Sequence, residues 1–176
     1  MNTKELLFSR KSVRTFTGEP ISDEDLSFII KAAKAAPVAM GQYDNYHLTL
    51  ITNKDLLATI ERAGGELFGD PDRKMLYNAP TLIVVSATVA PGAENYTYSS
   101  AAMIVHNMAL AATELGVGSC DIWGCIGAAA KQPALVTKLN LPEGITPCCA
   151  IALGKTDETF PLREVPEDRI TLNVVE

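Results

Sequence analysis

Two rhythms of apolar and polar positions divide the chain into helices and strands. Residues 3–9 have the spacing of a short amphipathic helix. Ser22 reads as an N-cap, and Asp23, Glu24 and Asp25 suit the positive end of a helix dipole. Leu26, Ile29, Ile30 and Ala33 then recur at helical spacing until Pro37 closes the run. Residues 46–51 are strand-like, and Asn53 caps a helix that carries Leu56, Leu57 and Ile60 and is expected to stop at Gly64-Gly65. The clearest strand is 81–87, short, β-branched and apolar on both faces, as a central strand must be. An alanine-rich helix over 99–115 is apolar around most of its circumference, which predicts burial, and Gly116 ends it. A glycine-rich stretch follows to Gly127, then a helical piece near 134–139, a turn at Pro142-Glu143-Gly144 and a strand at 148–153. From Asp157 onward the tail is polar and loop-like, with 172–175 expected as a last edge strand. No repeat, linker or low-complexity tract interrupts this order, so the pattern predicts one α+β domain over residues 1–176 and excludes a regular βαβ array.

Composition narrows the possibilities without naming a chemistry. The chain has 176 residues, 47% of them hydrophobic and 20% charged, which excludes a disordered chain. A fold of this size buries roughly 70% of its extended surface and needs neither a disulfide framework nor a structural metal. No apolar run approaches the ~20 residues of a bilayer-spanning helix, and no secretory signal opens the sequence, so a cytoplasmic protein is expected. Four cysteines, Cys120, Cys125, Cys148 and Cys149, form no Cys-x-x-Cys pair. They read as reduced, buried thiols, with Cys148 and Cys149 expected on opposite faces of their strand. The net charge of -6 argues against nucleic acid as a partner. Within the first 14 residues, however, Lys4, Arg10, Lys11 and Arg14 face Glu5 alone. A basic cluster on an acidic protein suits a small anionic ligand.

The motifs of several enzyme classes are missing. Gly116-Val117-Gly118 follows a helix, and Asp121 stands where a dinucleotide fingerprint needs its third glycine. There is no Walker A sequence, no Gly-x-Ser-x-Gly elbow and no pair of spaced carboxylates. His106, inside the alanine-rich helix, reads as a hydrogen-bonded core residue, and His47 could face either way in its strand. A chain so short of reactive side chains points to chemistry borrowed from a cofactor. The strongest local signal is Arg10-Lys11-Ser12-Val13-Arg14-Thr15-Phe16. In an extended segment Arg10, Ser12 and Arg14 project to one face, and two guanidinium groups flanking a hydroxyl make a phosphate clamp. A solvated basic surface has the same local pattern.

In the order of these landmarks the sequence resembles the nitroreductase family of FMN-dependent oxidoreductases over nearly its whole length. The landmarks are Arg10-Lys11-Ser12-Val13-Arg14, then Glu19-Pro20-Ile21-Ser22 with its acidic helix start, Ala36-Pro37 before the first strand, and Asn78-Ala79-Pro80 before the second. Leu115-Gly116-Val117-Gly118-Ser119-Cys120 and Leu141-Pro142-Glu143-Gly144 leading to Ala150-Ile151-Ala152-Leu153-Gly154 complete them. The resemblance implies a nitroreductase-like α+β fold, with a mixed, mostly antiparallel sheet flanked by helices and a buried long helix. It implies FMN as cofactor, NADH or NADPH as reductant, nitroaromatics or quinones as acceptors in ping-pong order, and a homodimer with FMN at the interface. Arg10 and Ser12 are then expected at the phosphate with Lys11 nearby, and Arg14 at the pyrimidine edge, where a cation raises the reduction potential. Pro37, Val38, Ala39, Met40 and Gly41 are expected to reach the flavin from the partner subunit. Asp121, Ile122, Trp123 and Gly124 are expected along the ring, and Arg163 or Lys74 completing the anion site. Gly41 and Tyr43-Asp44-Asn45 depart from the family's Asn and Gln-Pro-Trp, and the chain is short for the family. A protein that binds or sequesters flavin without turnover, and a cofactor-free interaction domain on the same fold, are the alternatives.

Overall fold

The computed structural model describes residues 1–176, and none of its helices is long and apolar enough to cross a membrane. Helix α1 (Thr3–Ser9) starts on a capping box in which the Asn2 side chain accepts from Glu5 N and the Glu5 side chain accepts from Asn2 N. Helix α2 (Asp23–Lys34) begins at the Ser22 cap, whose side chain accepts from Asp25 N at 3.0 Å. Strand β1 (Tyr46–Ile51) leads through the Asn53 cap into helix α3 (Lys54–Leu67). Strand β2 (Thr81–Thr88), the long helix α4 (Glu94–Glu114) and strand β3 (Gly118–Ile122) follow. Short helices α5 (Gly124–Ala129) and α6 (Pro133–Lys138) precede strand β4 (Ile145–Gly154).

The four strands form one sheet in the order β1-β2-β4-β3, antiparallel throughout. Its central strands alternate between two cores, because side chains in a strand point to opposite faces in turn. Ile83, Val85, Cys149, Ile151 and Leu153 face α2 and α4, together with Ile29, Ala33, Val105 and Met108. Leu82, Val84, Ala150 and Ala152 face the other layer, with Ile60 of α3 and Cys125 and Ile126 of α5. The result is an α/β/α sandwich in which α4 is buried as its composition predicts.

Five details differ from the sequence expectations. Helix α3 runs through Gly64-Gly65 to Leu67, since burial of Leu57, Ile60, Ala63 and both glycines outweighs the glycines' weak helix propensity. Helix α4 starts at Glu94 rather than Ser99. Part of the glycine-rich stretch is strand β3, held by pairing with β4 despite its small and polar residues. Cys148 and Cys149 share one core, because Val85 pairs with Cys149 and Ser86 with Pro147, leaving Cys148 as the extra residue of a bulge. No strand forms at 172–175: Ile170, Leu172, Val174 and Val175 are 83%, 84%, 69% and 88% exposed, and no edge in this chain takes them up.

Candidate functional site

The basic segment is held in place by two buried apolar side chains. Val13 is fully buried in the α3/α5 core, and its N–H donates to Ser119 O of β3 at 2.8 Å. Phe16 is buried three residues later, with its ring over Gly118 and Gly154, a cross-strand pair. A Cβ on Gly118 would stand 3.0 Å from the Phe16 ring and 3.0 Å from Gly154 O, so the close seat of this segment on the sheet requires glycine there. With Val13 and Phe16 fixed, residues 10–14 run extended along the outer edge of β3.

Arg10, Ser12 and Arg14 thereby lie near Cys120 of β3. The charges of Arg14 and Arg10 and the nearby Ser12 hydroxyl all favour its thiolate. Burial outweighs them and pushes that thiol up from its ordinary range. Next to it, the half-buried Asp121 is also pushed up by burial, against the pull of Arg10 and of His106 on α4. His106 is exposed, so the expectation of a core histidine fails: its face of α4 turns toward Asp121 and not into the sheet. Arg14 is exposed, with its guanidinium 5.8 Å from the Tyr77 ring centroid. The arrangement is a cationic face with one hydroxyl and a carboxylic acid at its border, suited to binding a compact anion. Lys11 projects to the opposite face. Its ammonium lies 2.5 Å from Glu158 and 5.7 Å from the Phe160 ring centroid.

The other expected site residues occupy three further places. Ile122 is buried in the α3/α5 core, so only its backbone is available, whereas Trp123 is half exposed at the start of α5. Gly124, beside it, lies against Phe68 and Met75. Pro37, Val38, Ala39, Met40 and Gly41 lie at the N-terminal part of α4, where Ala39 N donates to Ser100 Oγ at 3.0 Å. Pro37, Val38 and Ala39 line an open groove of about 480 Å³ with Asn95, Tyr96, Ser99, Ser100 and Met103. Met40 and Gly41 both have positive φ, 56° and 66°, and Met40 is 71% exposed. Ser100 and His106 are six residues apart on α4, roughly 9 Å along the axis and well round the helix. No hydrogen bond or ion pair within the chain joins this segment to Arg10, Ser12 or Arg14. Arg163 caps α1: its backbone N–H and its Nε both donate to Phe8 O at 3.1 Å. Lys74 is not brought to the basic face, since its ammonium sits 3.6 Å from Glu61 on α3. The sequence alone does not mark Cys120, Tyr77, His106 or Glu158 as neighbours of this segment. For Cys120 the strand period of β3 is the available signal, and for Glu158 there is none.

The cysteines are all buried and unpaired. Burial lifts Cys125 and Cys149 to about 12 and Cys148 to about 11, so these thiols are inert packing groups at neutral pH.

Comparison with known proteins places this geometry in a family. A curated protein of Archaeoglobus fulgidus, provisionally named NADH dehydrogenase/NAD(P)H nitroreductase, is 32% identical over 155 residues, 85% of this chain and 83% of that one. A Cr(VI) reductase of a Pseudomonas species is 31% identical over 163 residues, 86% of this chain and 65% of that one. Among solved structures, a nitroreductase with bound FMN from Bacteroides fragilis superposes with a TM-score of 0.81 at 29% identity, covering 100% of both chains. A second, from Desulfitobacterium hafniense and also with bound FMN, gives 0.82 at 26% identity over 99% of this chain and 100% of the other. Residues 7–155 match the nitroreductase family profile, a span from the end of α1 to just past β4, and the chain belongs to the nitroreductase family.

Proposed function

We propose that the protein is a homodimeric, cytoplasmic FMN flavoprotein that oxidises NADH or NADPH and reduces an organic acceptor. The observation that carries this reading is the basic segment seated on β3 by the Val13 N–H to Ser119 O hydrogen bond, with Arg10, Ser12 and Arg14 near Cys120 of that strand. Their chemistry fits the group: two guanidinium forks and a hydroxyl match the oxygens of a phosphate monoester. The neighbouring Asp121 carboxyl is pushed up from its ordinary range by burial, against the pull of Arg10. When bound, FMN supplies the N5 position that accepts hydride from NAD(P)H and passes it to an acceptor such as a nitroaromatic or quinone.

The chain's own residues bind and orient. Arg10 and Ser12 hold the phosphate, and Arg14, backed by the Tyr77 ring, places a fixed positive charge toward the ring system. The Asp121–Gly124 turn lies alongside, with Trp123 exposed for stacking. No side chain acts as nucleophile. The dimer is supported by the open groove that Pro37, Val38 and Ala39 line beside α4, which leaves this segment accessible to the site of a partner. It is supported also by exposed apolar residues that a second copy would cover: Met40, Tyr43, Tyr96 and Met103 beside α4, and the tail from Ile170.

Anaerobic addition of NADH or NADPH to the purified holoprotein tests the reading. The flavin absorbance is expected to bleach and to return when a nitroaromatic or quinone is added. A protein that holds FMN but is not bleached by either nucleotide is a flavin-sequestering protein, and one that takes up no FMN refutes the site as well. Arg10→Ala is expected to weaken FMN binding about tenfold or more, the scale of one charge-assisted contact.

A further inference from the structure

The back of the basic segment is gripped by a single carboxylate. Lys11 donates to Glu158 at 2.5 Å and the Thr15 hydroxyl donates to the same side chain, and these contacts hold its carboxyl below the usual range. Both donors come from one run of five residues, 11–15. Glu158 is itself fixed, because residues 155–158 continue the central strand β4 and run beside residues 15–19. Thr17 N donates to Lys155 O at 3.0 Å, Lys155 N to Glu19 O at 3.1 Å, and Thr156 Oγ1 to Thr15 O at 2.9 Å. Glu158 N donates in turn to Thr156 Oγ1 at 3.2 Å.

The contacts divide the segment's side chains into two sets. Lys11, Val13 and Thr15 form one set, anchored by Glu158 at both ends and by the core in the middle. Arg10, Ser12 and Arg14 form the other. We propose that Glu158 is the positioning residue of the anion clamp, holding Lys11 and Thr15 from behind so that Arg10, Ser12 and Arg14 present together in front. This inference rests on the FMN reading given above. It also assigns Lys11 a new role: its charge neutralises Glu158 and is withheld from the phosphate.

Ordered donors on a rigid backbone bind an anion better than the same donors on a mobile one, because less freedom is lost on binding. The effect must therefore fall on the phosphate and spare the ring. FMN and riboflavin, which share the ring and differ in the phosphate, separate the two. The full-length apoprotein is titrated with each by flavin fluorescence. Wild type is expected to prefer FMN strongly. Glu158→Ala, which removes both contacts, is expected to raise the Kd for FMN about tenfold while the Kd for riboflavin stays within twofold. Glu158→Gln, which retains an oxygen for Thr15 but loses the ion pair, is expected to fall between. It also keeps the test decisive should the alanine variant fail to fold.

Two results overturn the proposal. If FMN affinity is unchanged or rises in both variants, Lys11 freed from Glu158 is itself a phosphate ligand and Glu158 competes with the clamp. If FMN and riboflavin weaken equally, Glu158 holds the fold and not the clamp. In both cases a wild type that still selects FMN over riboflavin leaves the cofactor reading intact. A wild type that binds neither refutes that reading and this inference together.

Discussion

Gly64→Ala tests the packing that sets the Asp121–Gly124 turn. Gly64 lies inside α3 where α5 crosses it, and a Cβ there would stand 2.6 Å from Cys125 Sγ and 2.9 Å from Cys125 Cα. The sulfur can rotate away, but the backbone carbon cannot. Restoring ordinary contact requires the two helices to part by about 0.5 Å. Alanine gains up to about 1 kcal/mol of helix propensity over glycine, while overpacking a dense core costs about 1–3 kcal/mol. The net expectation is a loss of about 1–2 kcal/mol, or roughly 2–8 °C in Tm for a chain of this length. Gly127 is the internal control. It lies on α5, its added Cβ would meet nothing within 4 Å, and Gly127→Ala is expected to be neutral or stabilising by up to about 1 kcal/mol. Both are read by thermal and urea unfolding of the apoprotein, followed by FMN titration. Because α5 begins at Gly124, immediately after the turn, Gly64→Ala should also weaken FMN binding, and Gly127→Ala should not. Equal stability of the two variants would refute the argument that the missing side chain at Gly64 sets the helix approach.

Three further outcomes follow from the same geometry. Val13→Ala removes two buried methyl groups from the anchor of the basic segment and is expected to cost about 2 kcal/mol in urea unfolding; a loss below about 0.5 kcal/mol would mean the segment is not seated through the core. Asp121→Asn is expected to tighten FMN about threefold by removing a carboxylate that faces Arg10, and to stabilise the apoprotein at pH 7. The sign follows from the raised value in the folded state: folding holds this proton where the unfolded chain has lost it, so stability falls as pH rises from the ordinary aspartate range through the folded value, and the variant's advantage should vanish below that range, which melts at pH 3 and pH 7 will check. Deleting residues 170–176 removes four exposed apolar side chains and is expected to shift dimer to monomer in sedimentation at micromolar concentration; an unchanged dimer would show that the tail does not bridge the copies.

What the sequence discloses is local, and what it hides is long-range. Helix α2 and strand β2 are legible because their caps, periodicity and β-branching act within a few residues. The sequence pattern ends helix α3 early, at Gly64-Gly65, because glycine weakens a helix locally, and only long-range packing reveals why two glycines are needed there, Gly64 against Cys125 of α5 and Gly65 against the backbone of Asp70 and Pro71. Strand β3 is obscured for a similar reason. The residues of Gly118–Ile122 have little strand propensity of their own, and their pairing comes from β4, far along the chain. The tail carries the strand signal and has no strand, because an alternating pattern predicts pairing without supplying an edge to pair with.

The basic segment contains both cases in seven residues. A period of two separates Arg10, Ser12 and Arg14 from Lys11, Val13 and Thr15 in the sequence, and both arginines of the first set lie near enough to Cys120 of β3 for their charges to act on its thiol. The same period cannot say what stands behind the second set, and charge alone groups Lys11 with the arginines. Charge is a property of a residue, whereas its availability to a ligand depends on which opposite charge the fold brings to it. Here that is Glu158, carried in on the continuation of β4. Of the four cations near the amino end of this acidic chain, Lys11 is already paired, so counting charges overcounts the ligands of the proposed anion site.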